Sequence, residues 1–336
     1  MGERLLTTRS KIFGLILLIL LFILSLYMSI QVGQQQVAWY VMFDALMEYD
    51  PTNADHVILY HRLSRAASAI LIGLSLAVSG AMLQALTRNP LASPGVFGIN
   101  AGALFFVVVA ISFFSIHALT SLFWFAFAGA LLAAVLVYVL GTVGDEGFSP
   151  VRVVLAGTAI NALFVSFTQG LLVTNEANLD RVLLWMAGTV ANRPIEVLLP
   201  VIPIVIVALI IAVLIAKPMD LLHTGDEIAK GLGQRVLTLK MLIILVAVML
   251  AGGAVAIGGM IGFVGLIVPH IARFFVGHQH LWLILYCVFI GAILMLNADV
   301  VGRIAIQPRE IPIGVVTALI GTPFFIYIAR KGFKQS

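Results

Sequence analysis

Residues Val236–Val276 decide the fold of this 336-residue chain, and they read VLTLKMLIILVAVMLAGGAVAIGGMIGFVGLIVPHIARFFV. Between Met241 and Ala272 the run contains no Asp, Glu, Lys or Arg. As one helix it would reach roughly 60 Å, about twice the hydrocarbon thickness of a bilayer. The run must therefore turn back on itself. The predicted turn lies around four glycines, namely Gly252, Gly253, Gly258 and Gly259.

The rest of the chain has the same character. Hydrophobic residues make up 62% of it, charged residues 10%, and the mean hydropathy is +1.13, which is too apolar for a water-soluble core of this length. Long apolar runs without strict alternation indicate membrane helices rather than barrel strands. We predict an all-α polytopic membrane protein with one domain, 1–336, and about ten transmembrane helices. The predicted spans are 12–30, 63–86, 95–114, 119–140, 151–173, 196–216, 237–256, 258–276, 281–298 and 312–329.

The basic residues set the expected orientation. With the N-terminus inside, 13 of the 19 Lys and Arg residues fall in inner segments, as the positive-inside rule requires. Both termini are therefore predicted to be cytoplasmic, in a bacterial cytoplasmic membrane with lipid as the surrounding partner. The net charge of +4 follows from this orientation, so nucleic-acid binding is not needed to explain it.

Several function classes lack their expected motifs. The chain contains no Gly-x-x-x-x-Gly-Lys-Ser/Thr phosphate loop, so it is not expected to hydrolyse ATP itself. Its acidic residues lie in loops or near span ends, whereas an ion-coupled carrier usually buries one at mid-membrane. No His-Glu-x-x-His or Gly-x-Ser-x-Gly motif is present. Energy is expected from a partner; an ion-driven secondary carrier and an intramembrane enzyme remain as alternatives.

One polar segment surrounds the second predicted span. It opens with His61-Arg62-Leu63-Ser64-Arg65, and the span carries Gly73, Ala77 and Gly80 at helical spacing. Small residues at this spacing allow two membrane helices to approach closely. The pattern predicts a packing face.

A second segment is the inner loop after the sixth span. Thr224 and Glu227 have the spacing of a capping box, which predicts a short cytosolic helix within 224–233. Ile228 and Leu232, four residues apart, would form an apolar knob on the cytoplasmic face. The alternative is a helix that only lies on the protein's own surface.

A third segment surrounds Pro269, which is followed by His270 and Arg273. Proline removes a backbone donor, so an interrupted helix is expected at the cytoplasmic surface. The alternative is a tolerated kink, with Arg273 extending to the lipid headgroups.

Together these segments resemble the permease subunits of ABC importers for ferric siderophores, haem and cobalamin, the FecCD-type family. Ser64 is a departure, since the family often has Pro there. The resemblance covers nearly the whole chain. It is carried by Arg62-Leu63-Ser64-Arg65, Gln84–Pro90, Leu155–Asn161, Trp185–Gly188, 224–233, 258–273, Ala298-Asp299 with Arg303, Glu310–Gly314 and Gly321–Phe325.

The resemblance implies a partner set: a second permease, identical or paralogous, two cytosolic ATP-binding subunits and an external solute-binding protein. It implies alternating access, with no catalytic residue, metal or cofactor on this chain and with ATP and Mg on the partner ATPase. Ferric siderophore is the first expected cargo; cobalamin and haem stay open. For the inner loop it implies contact with the ATPase by Asp226, Glu227, Ile228, Ala229, Leu232 and Gly233.

Two further sets of residues follow from the resemblance. Arg62, Arg65 and Arg303 match family arginines that meet acidic residues of the binding protein; anchoring at the membrane interface is the alternative role. The fifth and tenth spans would border the pathway, with Thr158, Asn161, Gln169 and Thr317 as candidate lining residues. Each of these four could instead form an interhelical hydrogen bond.

Overall fold

The computed structural model describes residues 7–33, 41, 44–45, 47–142, 150–174, 179–222, 224–306 and 308–332. All regular structure in these ranges is helical, as predicted. Terminal residues used in the charge count, such as Arg4 and Lys334, lie outside them. The α-helices are α1 (Thr8–Gln31), α2 (Ala54–Thr87), α3 (Ile99–Phe114), α4 (Leu119–Thr142), α5 (Pro150–Thr174), α6 (Leu179–Ala187), α7 (Ile195–Leu198), α8 (Val201–Leu222), α9 (Asp226–Gly231), α10 (Val236–Gly258), α11 (Val264–Val276), α12 (His280–Ile304) and α13 (Ile313–Gly332), with a 3₁₀ turn at Pro94–Phe97.

Seven stretches of helix in the described chain are long and apolar enough to cross a membrane. Three shorter apolar helices, α3, α11 and the apolar part of α13, occupy the positions of the remaining predicted spans. The chain is therefore a multi-pass membrane protein by helix length and composition. The short helix α6 was not predicted, because it is too brief to give a hydropathy signal, and the predicted span 196–216 is divided into α7 and α8.

The predicted turn in Val236–Val276 is present, but it lies later than two of the four glycines. Gly252 and Gly253 are inside α10, which ends at Gly258. Gly259 has φ +78° and Phe263 has φ +67°, and α11 begins only at Val264. The predicted span 258–276 is therefore shorter than expected. Pro269 lies within α11, so the helix is interrupted before this proline and not at it.

Helix α2 is the centre of the bundle and packs against α10, α11 and α12. The predicted small-residue face makes these contacts. A Cβ on Gly73 would collide with the carbonyl of Gly291 in α12, and one on Gly80 would collide with the carbonyl of Gly265 in α11. Glycine at these positions lets the backbones touch, and this close packing holds membrane helices together.

The start of α2 differs from the prediction. The hydropathy signal begins at residue 63, yet the helix begins at Ala54, so Arg62 and Arg65 lie inside it. A helix can continue through a stretch of charged residues when their side chains find partners on other parts of the protein. With 34 residues, α2 is about 51 Å long at 1.5 Å per residue and reaches beyond the hydrocarbon layer at one end.

Candidate docking and coupling sites

Two of the predicted docking arginines bind the C-terminal end of α1. Arg62 Nη1 donates to the carbonyls of Ile30 (2.8 Å) and Gln31 (3.3 Å). Arg303 donates to the carbonyls of Val32 and Ser29, both at 2.9 Å. The last carbonyls of a helix have no intrahelical donor and carry its negative dipole end, so two guanidiniums suit this position. Both side chains are buried and do not project from the surface.

Asp299 connects the third docking arginine to this cluster. Its carboxylate lies 2.8 Å from Arg65 Nε and 2.9 Å from Arg303 Nη2. Arg65 Nη1 also lies 2.7 Å from the partly exposed Glu310. Because Asp299 is wholly buried between two guanidiniums, removing its carboxylate would leave the buried Arg303 without this ion pair, a loss that typically costs about 3–5 kcal/mol. The structure thus gives the three predicted residues an internal structural role.

A fourth arginine, Arg193, borders the same place, and the sequence did not single it out. It lies in the loop between α6 and α7, and only 8% of its surface is exposed. No described residue accepts a hydrogen bond from its Nε, and burial lowers its pKa to about 10. The hydroxyl of Ser64, the position that departs from the family pattern, donates to the Arg193 carbonyl. A single arginine in a loop belongs to no periodic pattern, so the sequence gives no sign that its side chain is buried.

These arginines surround a cavity of about 350 Å³ at the end of the bundle where α1 ends and α2 begins. Four guanidiniums face two carboxylates here, those of Glu310 and the buried Asp299, so positive charge is in excess. A cavity with this charge attracts an acidic side chain. The lining residues are Gly33, Ile58, His61, Arg62, Arg65, Asn192, Arg193, Arg303 and Glu310.

At the other end of the bundle, the predicted short helix is present as α9, Asp226–Gly231. The predicted capping box is wrong. Thr224 Oγ1 donates to the carbonyl of Leu221, and the N-cap position is Gly225 with φ +120°, which offers no side chain. The glycine conformation starts the helix where the hydroxyl was expected to do so.

The apolar knob lies at the surface. Ile228 is 56% exposed and Leu232 is 65% exposed, whereas Ala229 between them is fully buried. Ala229 therefore supports the helix from below, and the prediction that it touches the ATPase does not fit this burial. Glu227 is exposed and pairs with Lys230 at 3.0 Å. Gly233 follows the helix with φ +83°.

Asp226 is held within the chain, and its expected contact with the ATPase stays a prediction. Its two carboxylate oxygens lie 2.6 Å from Arg88 Nη2 and 2.5 Å from Lys240 Nζ. Burial would raise the pKa of Asp226, but the hydrogen bonds and charges of Lys240 and Arg88 outweigh burial and lower it. Asp226 thereby joins α9 to α10 and to the residue that follows α2. We call these three residues, Arg88, Asp226 and Lys240, the inner clasp.

The pathway candidates lie in different environments. Thr158 and Gln169 are exposed on α5, and Asn161 is half-buried beside them. Ser166 lies on the same exposed face, a residue that the sequence analysis did not select. Thr317 is buried in α13, where its hydroxyl donates to the carbonyl of Gly314, so it does not line a surface in this conformation. On α13 the exposed hydroxyl is that of Thr322, beside a groove of about 520 Å³.

Known proteins share this sequence and arrangement. The chain is 44% identical over 325 residues to the Probable siderophore transport system permease protein YfiZ of Bacillus subtilis (strain 168), covering 97% of this chain and 98% of that protein. It is 35% identical over 314 residues to the ferric enterobactin transport system permease protein FepD of Escherichia coli (strain K12), covering 94% of each.

A solved structure described as an inward-facing, metal-chelate type ABC transporter superposes with a TM-score of 0.83 at 30% identity, covering 94% of this chain and 98% of that chain. Residues 17–331 match the FecCD transport family. The resemblance inferred from the motifs is confirmed: because the match spans almost the entire sequence, this chain belongs to the FecCD transport family.

Proposed function

We propose that this chain is the permease subunit of an ABC importer that moves a ferric siderophore from an external binding protein to the cytosol. The observation that carries the proposal is the match to the FecCD transport family over residues 17–331. The names of its relatives, among them siderophore, ferric citrate, hydroxamate and enterobactin permeases, favour an iron chelate. The chain does no bond chemistry, and a separate subunit hydrolyses ATP.

The proposed topology has ten crossings with both termini in the cytoplasm. The seven long spans and the three shorter apolar helices together support this number. Helices α3 and α11 have 16 and 13 residues, below the roughly 20 that a perpendicular span needs. The turn Gly259–Phe263 before α11 buries Gly259 and Ile261 and exposes Gly262. Irregular backbone is tolerated in a membrane where it is buried in protein or lines a water-filled cavity.

The outer cavity is the proposed docking site for the binding protein. Its excess positive charge suits a carboxylate, and Arg193 contributes a guanidinium that has no ion partner among the described residues. Arg62, Arg65 and Arg303 add to this field while they also hold α1 and Asp299. Such a site gives a docking affinity that falls with salt.

The inner loop is the proposed coupling site. Ile228 and Leu232 present exposed apolar surface to a groove on the ATPase, flanked by Glu227 and Gly233. The inner clasp then transfers force from α9 to α2 and α10. The exposed face of α5 with Thr158, Ser166 and Gln169 borders the pathway between two permeases, identical or paralogous, that alternate between outward-open and inward-open states.

The competing function is an ion-driven carrier, which would need a buried carboxylate that binds and releases the coupling ion. Asp299 is the buried carboxylate of the described spans, but two arginines hold it at 2.8 and 2.9 Å. Because these two arginines already neutralise the Asp299 carboxylate, it has no site left for a transported cation. Cobalamin or haem in place of a siderophore is the alternative within the family.

The test is uptake of radioactive iron chelates into proteoliposomes that contain this chain, its ATP-binding subunits and its binding protein. We expect uptake only when ATP is present on the side of the membrane where the ATP-binding subunits lie. Uptake should stop when the phosphate-loop lysine of the ATP-binding subunits is substituted. Accumulation driven by an ion gradient, with the ATPase omitted, would overturn the proposal. Competition by unlabelled haem or cobalamin distinguishes the three cargo classes.

A further inference from the structure

Two cavities lie along α13, the tenth predicted span, which is expected to border the pathway. The groove of about 520 Å³ lies between α6, the turn after α10 and the part of α13 before Phe324. A larger cavity of about 730 Å³ opens between the C-terminal parts of α2, α11 and α13. In the proposed topology the groove belongs to the outer half of the membrane and the larger cavity to the cytoplasmic half. We call them the α13 groove and the inner cavity.

Phe263 lies at the boundary between these two cavities. Three residues before it Met260 lines the α13 groove, and seven residues after it His270 lines the inner cavity. The Phe263 ring rests on Gly321 of α13, where a Cβ on the glycine would collide with the ring. Gly321 lies one helical turn outward of Phe324, which lines the inner cavity. The ring therefore fills the contact between α11 and α13 at the level where one cavity ends and the other begins.

The contact combines two residues that are each unfavourable in their local backbone. Phe263 has φ +67°, a left-handed conformation that is a genuine outlier for a bulky side chain. Gly321 is buried in the interior of α13, where glycine is a poorer helix former than alanine. Only the two together give the phenyl ring its seat. Strained residues of this kind persist where the surrounding structure holds them, and they cluster at functional sites.

Both sides of the contact have a point at which the backbone can bend. Gly262 is exposed, and no described atom lies within 4 Å of the place where its Cβ would be, so open space adjoins the turn that carries Phe263. On the other side, Pro323 lies inside α13, two residues after Gly321. Proline removes the hydrogen bond to the carbonyl of Leu319, and helices bend at such positions. The ring is thus held between an unobstructed turn and a weakened helix.

We propose that Phe263 is a gate residue of the transport pathway. Its ring, seated on Gly321, closes the connection between the α13 groove and the inner cavity. Cargo passes when the ring leaves this seat and the turn relaxes out of the left-handed conformation. The inference rests on the proposed function, because that function makes α13 a wall of the pathway, but it does not depend on which chelate is carried.

The test measures access to the inner cavity from outside, in sealed vesicles that hold the assembled transporter without cargo or ATP. Tyr327→Cys places a thiol in the inner cavity, and the native Cys287 is buried, so it adds little background. A membrane-impermeant maleimide is added to the outer solution. We expect Phe263→Gly to speed labelling about tenfold, since glycine adopts the same φ without the ring and burial of a phenyl ring is worth at least this factor.

Phe22→Ala is the matched control, because it removes a partly buried ring from the α1–α12 contact with Phe289, away from both cavities. It should leave labelling at the wild-type rate. Adding Gly321→Leu to Phe263→Gly should restore slow labelling, because a side chain from α13 then fills the place of the ring. Phe263→Asn, which also tolerates a positive φ, replaces Phe263→Gly where the latter does not assemble.

Three outcomes would overturn the proposal: wild-type labelling in Phe263→Gly, equally fast labelling in Phe22→Ala, or no restoration by Gly321→Leu. Each would reduce the Phe263 contact to ordinary packing between α11 and α13. ATP-driven uptake of iron chelate is measured separately in the wild type. Its absence would contradict the proposed function, whereas the labelling rates report the gate alone.

Discussion

Asp226→Asn is the substitution that most directly tests how α9 is held. The change keeps the shape of the side chain but removes the charge that meets Arg88 at 2.6 Å and Lys240 at 2.5 Å. Lys240 is affected more than Arg88, since only 8% of its side chain is exposed and its ammonium would lose the ion pair with Asp226. Arg88 keeps water and the carbonyl of Leu222 as alternatives.

The magnitude follows from two charge-assisted hydrogen bonds, each worth about 1.5–3 kcal/mol when well shielded. Asp226 keeps a third of its side chain in water, so solvent screening reduces each bond to about 1 kcal/mol and a total loss of about 2 kcal/mol is expected. This loss would raise the undocked population of α9 about 30-fold. The ATPase would still close, but less of its motion would reach the membrane helices.

The assay compares ATP hydrolysis and iron-chelate uptake in the same proteoliposomes. We expect Asp226→Asn to lower the uptake per ATP hydrolysed and to speed hydrogen exchange in 226–231. Lys217→Gln is the control, because Lys217 is an exposed residue of α8 outside the coupling site and the inner clasp. Joining Asp226→Asn with Lys240→Met should recover part of the loss, since the largely buried ammonium that has lost its ion pair with Asp226 is then removed as well. The reasoning fails if Asp226→Asn and Lys217→Gln couple equally well.

Three further outcomes are expected. Arg193→Met should weaken binding-protein association about tenfold and reduce its salt dependence, without lowering the thermal stability of the permease, because the buried guanidinium has no ion partner to lose; unchanged affinity in a binding assay over a salt series would contradict this. Arg62→Ala should lower the melting temperature in detergent by removing about 1–3 kcal/mol of capping at the end of α1, whereas the exposed Arg309→Ala should not; equal melting curves would refute the capping role. The folded-state pKa of Asp226 lies below its ordinary value of 3.8, so the inner clasp is complete above pH 3.8 and is lost only as the pH falls through the lowered pKa. Association of the ATPase should therefore show no clasp-dependent change between pH 5 and pH 8. If the difference between the wild type and Asp226→Asn vanished at pH 6, the sign of this pH dependence would be wrong.

The helical class and the packing faces could be predicted because they depend on local patterns. Apolar runs fix the helices, and Gly73 and Gly80 fix where α2 meets its neighbours. The turn after Gly258 also follows from length alone, since a helix of roughly 60 Å does not fit in a bilayer. These features need no knowledge of which other segment lies opposite.

The side-chain partners could not be predicted, because each lies far away in sequence. Arg62 finds the carbonyls of α1, 31 and 32 residues earlier, and Arg65 finds Asp299, 234 residues later. In the sequence Asp226 has the character of a surface acid, and only the structure shows its pairs with Arg88 and Lys240. Charge at a membrane boundary has the same sequence signature whether it faces water, a partner protein or another helix.

Helix α2 connects the docking arginines at one end of the molecule to the inner clasp at the other. Arg62 and Arg65 belong to the outer end of α2, and Arg88, the first residue after α2, belongs to the inner clasp. Close contacts along its length, such as those of Gly73 and Gly80, favour movement of this helix of about 51 Å as a rigid body. Coupling between two sites is reciprocal, so ATP binding inside and binding-protein docking outside should each change the affinity of the other. If α2 carries this coupling, the Asp226→Asn variant should bind the binding protein with unchanged affinity when no nucleotide is present. The same variant should lose the change in affinity that nucleotide produces in the wild type. A full nucleotide effect in the variant would assign the connection to another helix.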